Sequence, residues 1–203
     1  MLGSENGSAR RRFELAIARF DAANSDDPRL EFSNGVEYPK ELLYAQRMTA
    51  WLAKFLPEAP ETLRLAARCQ HILRWTIPRS DYPMNRSGYK VWRTRAAEFH
   101  ADRAGEILKD SGYDEQTVER LKALLRKEKL KLDPEVQVLE DVICLVFLEN
   151  HFSDFRKQHD EDKIVRIIRK TWKKMSPRGH QAALALTLPD AVRSVIKRAL
   201  TEA

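Results

Sequence analysis

Apolar residues return every three or four positions along almost the entire chain, and no segment alternates apolar and polar residues long enough to make a strand. Phe13, Ile17 and Phe20 step along one face. Leu42, Leu43, Met48, Trp51, Leu52 and Phe55 do the same after Pro39, a good first-turn residue. Pro60 and Glu61 open a helix carrying Leu63, Leu65, Ala66, Cys69, Ile72 and Leu73. Another runs from about residue 88 to 110 and stops near Ser111-Gly112; Asp114 then caps a helix with Val118, Leu121, Leu124 and Leu125. Asp133-Pro134 opens the most apolar helix, residues 135–155, with apolar residues on nearly every face, so it is expected to be central and buried. Ile164, Ile167, Ile168 and Trp172 mark another helix, and Ser176-Pro177 and Pro189 open the last two. The expectation is one all-α domain over residues 10–203, a bundle of about eight or nine helices, with residues 1–9 disordered.

A chain of 203 residues with 43% apolar content supports one sizeable core. Its longest apolar run, residues 142–148, is far short of the roughly 18 residues that span a bilayer. The start of the chain is small and polar and lacks an apolar signal core. These features predict a cytoplasmic protein without a membrane partner. Cys69 and Cys144 sit in apolar helical patterns and read as buried thiols. The seven glycines form neither a dinucleotide fingerprint nor a P-loop, which argues against both nucleotide-binding scaffolds. The net charge of +6 favours anionic partners such as nucleotides, phosphate esters or RNA without choosing among them.

The longest non-helical stretch between core helices is residues 76–87. With the following helix start it carries Arg79, Asp81, Tyr82, Arg86, Tyr89, Lys90, Trp92, Arg93 and Arg95. Aromatics interleaved with arginines suit a base to stack on and phosphates to pair with. The alternative is a surface loop pinned to the core by its aromatics. Arg64, Arg68, His71 and Trp75 fall at i, i+4, i+7 and i+11, one face of one helix, expected to be either a solvated stripe or one wall of an anion site. Glu140 and Asp141 sit in an apolar helix, and buried carboxylates need a cation, a metal or a helix end.

Three segments fall in a fixed order: residues 65–71 ending in Gln70-His71, residues 99–108 with His100 and Gly105-Glu106-Ile107-Leu108, and residues 139–143 with Glu140-Asp141. Over roughly residues 40–150 this order resembles the HD-domain superfamily of all-helical, metal-dependent phosphohydrolases. Tyr44 stands where the first His of that pattern falls, Gln70-His71 where its His-Asp pair falls, and Arg126-Lys127-Glu128 where further His occur; His100 and Asp141 match. The whole chain is also similar to an uncharacterised family found in bacteria and fungi, through Pro39-Lys40-Glu41-Leu42-Leu43-Tyr44, Gln70-His71-Ile72-Leu73-Arg74-Trp75 and Trp172-Lys173-Lys174-Met175-Ser176-Pro177. Some members of that family carry a glutamyl-tRNA synthetase label. Lys174-Met175-Ser176-Pro177-Arg178 looks like the Lys-Met-Ser-Lys-Ser loop of class I synthetases, but a Ser cap followed by Pro explains those residues fully.

The superfamily resemblance implies an HD-domain-like fold and a hydrolase of a nucleotide or other phosphate ester. His71, His100 and Asp141 would hold a divalent metal, with Glu128 as ligand or base. Arg68, Arg74, Arg103 and Lys127 would hold the phosphates, under a loop carrying Arg79, Tyr82 and Arg86. The alternative is a catalytically inactive HD-like module that binds a nucleotide, another anion or RNA.

Overall fold

The computed structural model describes residues 2–157 and 159–201, with side-chain surroundings from residue 7 onward except at 191 and 201. Among these residues ten α-helices and one hairpin form an essentially all-α architecture, as the periodicity requires. None of these helices is long and apolar enough to cross a membrane. The chain divides into two compact units, Met1–Glu128 and Lys129–Ala203.

The first unit contains α1 (Leu2–Ser25), a hairpin of β1 (Leu30–Ser33) and β2 (Val36–Pro39), then α2 (Lys40–Phe55), α3 (Glu61–Cys69), α4 (Arg86–Asp110) and α5 (Glu115–Arg126). Helix α1 takes in most of the segment expected to be disordered; Met1 lies outside the described residues. The antiparallel strands pair Leu30 with Pro39 and Ser33 with Val36. Asn34 and Gly35 both have positive φ, 50° and 83°, the type I′ turn whose twist matches paired strands. Each strand is only four residues long, too short for an alternation to register, so the Asn-Gly pair was the available signal.

Helix α3 packs against α1, α2 and α5 and buries Leu63, Leu65, Ala66, Ala67 and Cys69. It is the inner helix of this unit. It ends at Cys69, short of the Ile72 and Leu73 expected in it. Residues 70–73 turn, and Leu73 takes left-handed backbone angles (φ 53°, ψ 28°). Such a conformation costs roughly 1–2 kcal/mol in a residue with a Cβ. The buried Asn24 side chain offsets it by accepting from the Leu73 N–H at 3.1 Å. This turn dissolves the expected stripe. Arg64 lies over Phe13, Arg68 pairs with Asp21, and His71 points elsewhere.

The loop between α3 and α4 is tightly built. Arg79 donates to the carbonyls of Tyr82, Pro83 and Asn85 at 2.8, 2.6 and 3.3 Å. Asn85 caps α4 by accepting from the Gly88 N–H at 2.8 Å, and the Trp92 indole donates to the Ile77 carbonyl at 3.0 Å. Gly88 is required here, because a Cβ would overlap the Pro83 carbonyl. Helix α4 stops at Ser111-Gly112, with Gly112 at φ 87°, and Asp114 caps α5 by accepting from the Thr117 N–H, both as expected.

The second unit contains α6 (Pro134–Val146), a single π-helical turn (Phe147–His151), α7 (Phe152–Lys157), α8 (Glu161–Lys174), α9 (Pro177–Leu184) and α10 (Asp190–Thr201). The run expected as one central helix is thus α6, the π turn and α7, and α6 is the inner element of this unit, packed on α8 and α9. Asp133 caps α6 through the N–H groups of Glu135 and Val136.

Two carboxylates of α6 are buried for structural reasons. Glu140 meets Lys174 at 3.3 Å. Asp141 accepts from the Ser176 N–H (2.8 Å), the Ser176 hydroxyl (2.6 Å) and the Gln137 amide (3.1 Å). Ser176 in turn accepts from the Gly179 N–H at 3.0 Å and so caps α9. Asp141 therefore holds the cap that begins the last helix pair. Asp141→Ala strands the Ser176 N–H and its hydroxyl, and is expected to destabilise the chain by about 2–3 kcal/mol. Urea unfolding of the full chain measures this.

Candidate functional site: a buried glutamate beside two histidines and an arginine

Glu41 lies in the first turn of α2, where a helix dipole favours a carboxylate, yet it is only 4% exposed. Burial raises its pKa, against the lowering pull of Arg74 and Arg29. Arg29, on the strand side of the hairpin, donates to Glu41 Oε1 at 2.9 Å and grips both oxygens of the buried Asp27 at 2.9 and 3.0 Å. Asp27 also accepts from the Glu41 N–H at 3.1 Å, satisfying one of the orphan donors of the helix start. Burial pushes the Asp27 carboxyl up, but its bonds from Arg29 and from the Glu41 backbone hold it below the usual value.

The other oxygen of Glu41 faces His71 Nδ1 at 3.5 Å. The His71 ring stacks on Tyr44, centroids 4.2 Å apart and nearly parallel, and stands 5.8 Å from the His100 ring. Tyr44, His71 and His100, drawn from three distant segments, thus meet in one place.

His100 is 3% exposed, and its Nδ1 lies 2.8 Å from the Ile72 carbonyl oxygen. A carbonyl can only accept, so Nδ1 carries the proton and Nε2 presents a bare lone pair. That Nε2 is buried and has no hydrogen-bond partner among the described residues. Burial, then the neighbouring His71 and Arg74, lower the His100 pKa to about 3, so the ring is neutral.

Arg74 completes the cluster. It follows the left-handed Leu73, and its guanidinium lies 4.6 Å over the Trp92 ring. Burial lowers its pKa, opposed by the charge of Glu41 and by Tyr44 and Tyr89. No hydrogen bond or ion pair joins this guanidinium to any described residue. Arg74 is half-buried, and its fork of donors has no protein acceptor among the described residues.

The remaining expected site residues lie in other settings. Arg68 makes a two-bond pair with Asp21, both at 2.6 Å, and Arg79 organises its own loop. Arg103 is exposed and pairs with Glu106 at 2.8 Å. Arg86 is exposed and Tyr82 half-buried. Lys127 ends α5 in a left-handed conformation, and the exposed Glu128 pairs with Arg126 at 3.5 Å. Asp141 belongs to the second unit, its oxygens engaged by Ser176 and Gln137. Among the described residues, no three His, Cys, Asp or Glu side chains form a group able to hold a metal ion. Asp27, Arg29 and Glu41 were missed in the sequence, where Glu41 reads as an ordinary acidic first-turn residue and the short hairpin bringing Arg29 to it is hidden.

The chain belongs to the family described as "Domain of unknown function (DUF4202)", whose match spans residues 14–196. No curated protein and no solved structure matches it.

The neutral His100 has a consequence for stability. Its pKa in the native state lies below the unfolded value, so the unfolded chain binds the extra proton first as pH falls. The stability that the neutral ring contributes is present above about pH 6.5 and is lost towards pH 3. From pH 7 to pH 5 this amounts to about 2 kcal/mol. His100→Asn keeps an amide donor for the Ile72 carbonyl but does not titrate. Denaturant midpoints should therefore fall less between pH 7 and pH 5 in the variant than in the wild type.

Proposed function

We propose that this chain is a binding module for a phosphate-bearing anion, with Arg74 as its anchor. The observation that carries this reading is the guanidinium itself. It is half-buried, lies 4.6 Å over the Trp92 ring, and lacks a protein acceptor among the described residues. A planar arginine held this way suits the paired oxygens of a phosphate, where charge-assisted bonds are strong. The partnerless His100 Nε2 in the same cluster can accept from a ligand hydroxyl or from a protonated phosphate.

The metal-dependent phosphohydrolase implied by the HD resemblance would draw on His71, His100 and Asp141, with Glu128 as base. Asp141 has its oxygens engaged within its own unit, and Glu128 is exposed beside Arg126. Binding without a resident metal is the reading favoured here.

Inorganic phosphate, pyrophosphate or a nucleotide is expected to raise the melting temperature of the full chain at low salt. A ligand at 100 times its Kd stabilises the native state by about 2.7 kcal/mol. Arg74→Ala should abolish the shift, and Arg74→Lys should weaken it, since a point charge replaces a fork. Arg68→Ala should lower the unliganded stability through loss of the Asp21 pair yet leave the shift in place. A panel of these anions giving no shift with the wild type overturns the proposal.

A further inference from the structure

The ring and cation contacts that begin at Arg74 continue outward to the surface. Trp92, beneath the Arg74 guanidinium, lies 5.8 Å from Tyr89 one turn earlier on α4. Tyr89 in turn has the guanidiniums of Arg79 and Arg93 each 6.0 Å from its ring centre, and it is 46% exposed. Arg86, Lys90 and Arg93 follow at i, i+4 and i+7, one face of the helix, and all three are exposed. None of them forms an ion pair with a described residue. The sequence from Tyr82 to Ala97 contains no Asp or Glu to neutralise them.

An ordinary solvated helix face mixes both signs of charge, as α4 itself does further on, where Arg95 faces Glu98 and Arg103 faces Glu106. The first two turns of α4 depart from that rule. They also sit on a fixed support, since the Arg79 bonds to three carbonyls, the Trp92 bond to Ile77 and the Asn85 cap hold the preceding loop. A row of uncompensated cations beside an exposed aromatic ring matches a string of phosphates whose bases can stack.

We propose that this face of α4 binds a single strand of nucleic acid. Phosphodiesters would lie along Arg86, Lys90 and Arg93, with a base on Tyr89. The proposal extends the anion reading of Arg74, because it makes the phosphate at Arg74 part of a polymer and not of a free mononucleotide.

The test is fluorescence anisotropy of the full chain with a labelled 12-nucleotide single-stranded RNA at low salt. Saturable binding is expected, with log K falling against log salt at a slope of about −3 for four phosphates, three on this face and one at Arg74. Arg86→Glu with Lys90→Glu should weaken it at least about tenfold. Tyr89→Ala should weaken it about fivefold or more, and Tyr89→Phe should restore it. These exposed substitutions should leave the melting temperature unchanged. The phosphate-induced thermal shift at Arg74 should persist in the Arg86→Glu, Lys90→Glu variant. Wild-type protein that shows the phosphate shift but does not bind the RNA would overturn this proposal alone. Binding that ignores Tyr89, or that is equally tight for a duplex of the same length, is general attraction to a basic protein and also overturns it.

Discussion

The carboxylate of Glu41 is the group around which the first unit is organised. A buried carboxylate without partners is expensive, and removing one partner from a buried ion pair typically costs about 3–5 kcal/mol. Here one oxygen takes the Arg29 guanidinium and the other faces His71. Arg29 reaches Glu41 because the hairpin returns the chain to the start of α2, where the Lys40 N–H donates to the Arg29 carbonyl at 2.8 Å. Asp27 locks that geometry by holding Arg29 and capping Glu41 at once. The hairpin and the helix start both bring partners to this one carboxylate, and His71 faces its second oxygen.

The same charge leaves Arg74 in an unusual position. Arg29 is shared between Asp27 and Glu41, and Arg74 feels the Glu41 carboxylate without hydrogen-bonding to it. Its support comes from stacking on Trp92, which itself is fixed by Ile77. Arg74 is half-buried, and a hydrogen bond from its guanidinium to a charged acceptor is worth about 1.5–3 kcal/mol. On the reading proposed above, a ligand anion would take up that fork of donors. The second unit has no comparable surplus in its α6–α9 joint: Asp141 is matched by Ser176 and Gln137, and Glu140 by Lys174.

Much of the helical framework was legible because periodicity and capping chemistry agree. Asp114, Asp133 and Ser176 each cap the helix that their sequence context announces. The break after Cys69 was not legible. Helices usually stop at Gly or Asn, and here Leu73 adopts the left-handed conformation, stabilised by Asn24 from a helix far away in sequence. That one tertiary bond separates the arginine stripe read from the sequence from the geometry that exists. His71 and His100 were candidates from the sequence and their rings lie 5.8 Å apart, while Arg74, given by the superfamily resemblance as a phosphate holder, is near enough to act on His100. Their acidic partners did not stand out, because Asp27 and Glu41 look like ordinary helix-flanking acids until the hairpin is known. Asp141 stood out for the right physical reason, burial, and its partners are a cap on its own unit.

The central claim is that Arg74 awaits an anion. The most direct measurement is the side-chain Nε–H signal of Arg74 in 15N-labelled protein, followed as inorganic phosphate is added at constant ionic strength and pH. The expected result is a saturable shift of the Arg74 signal, while that of Arg68, already held by Asp21, stays in place. An Arg74 signal that does not move, or that moves only in proportion with every exposed arginine, would contradict the claim.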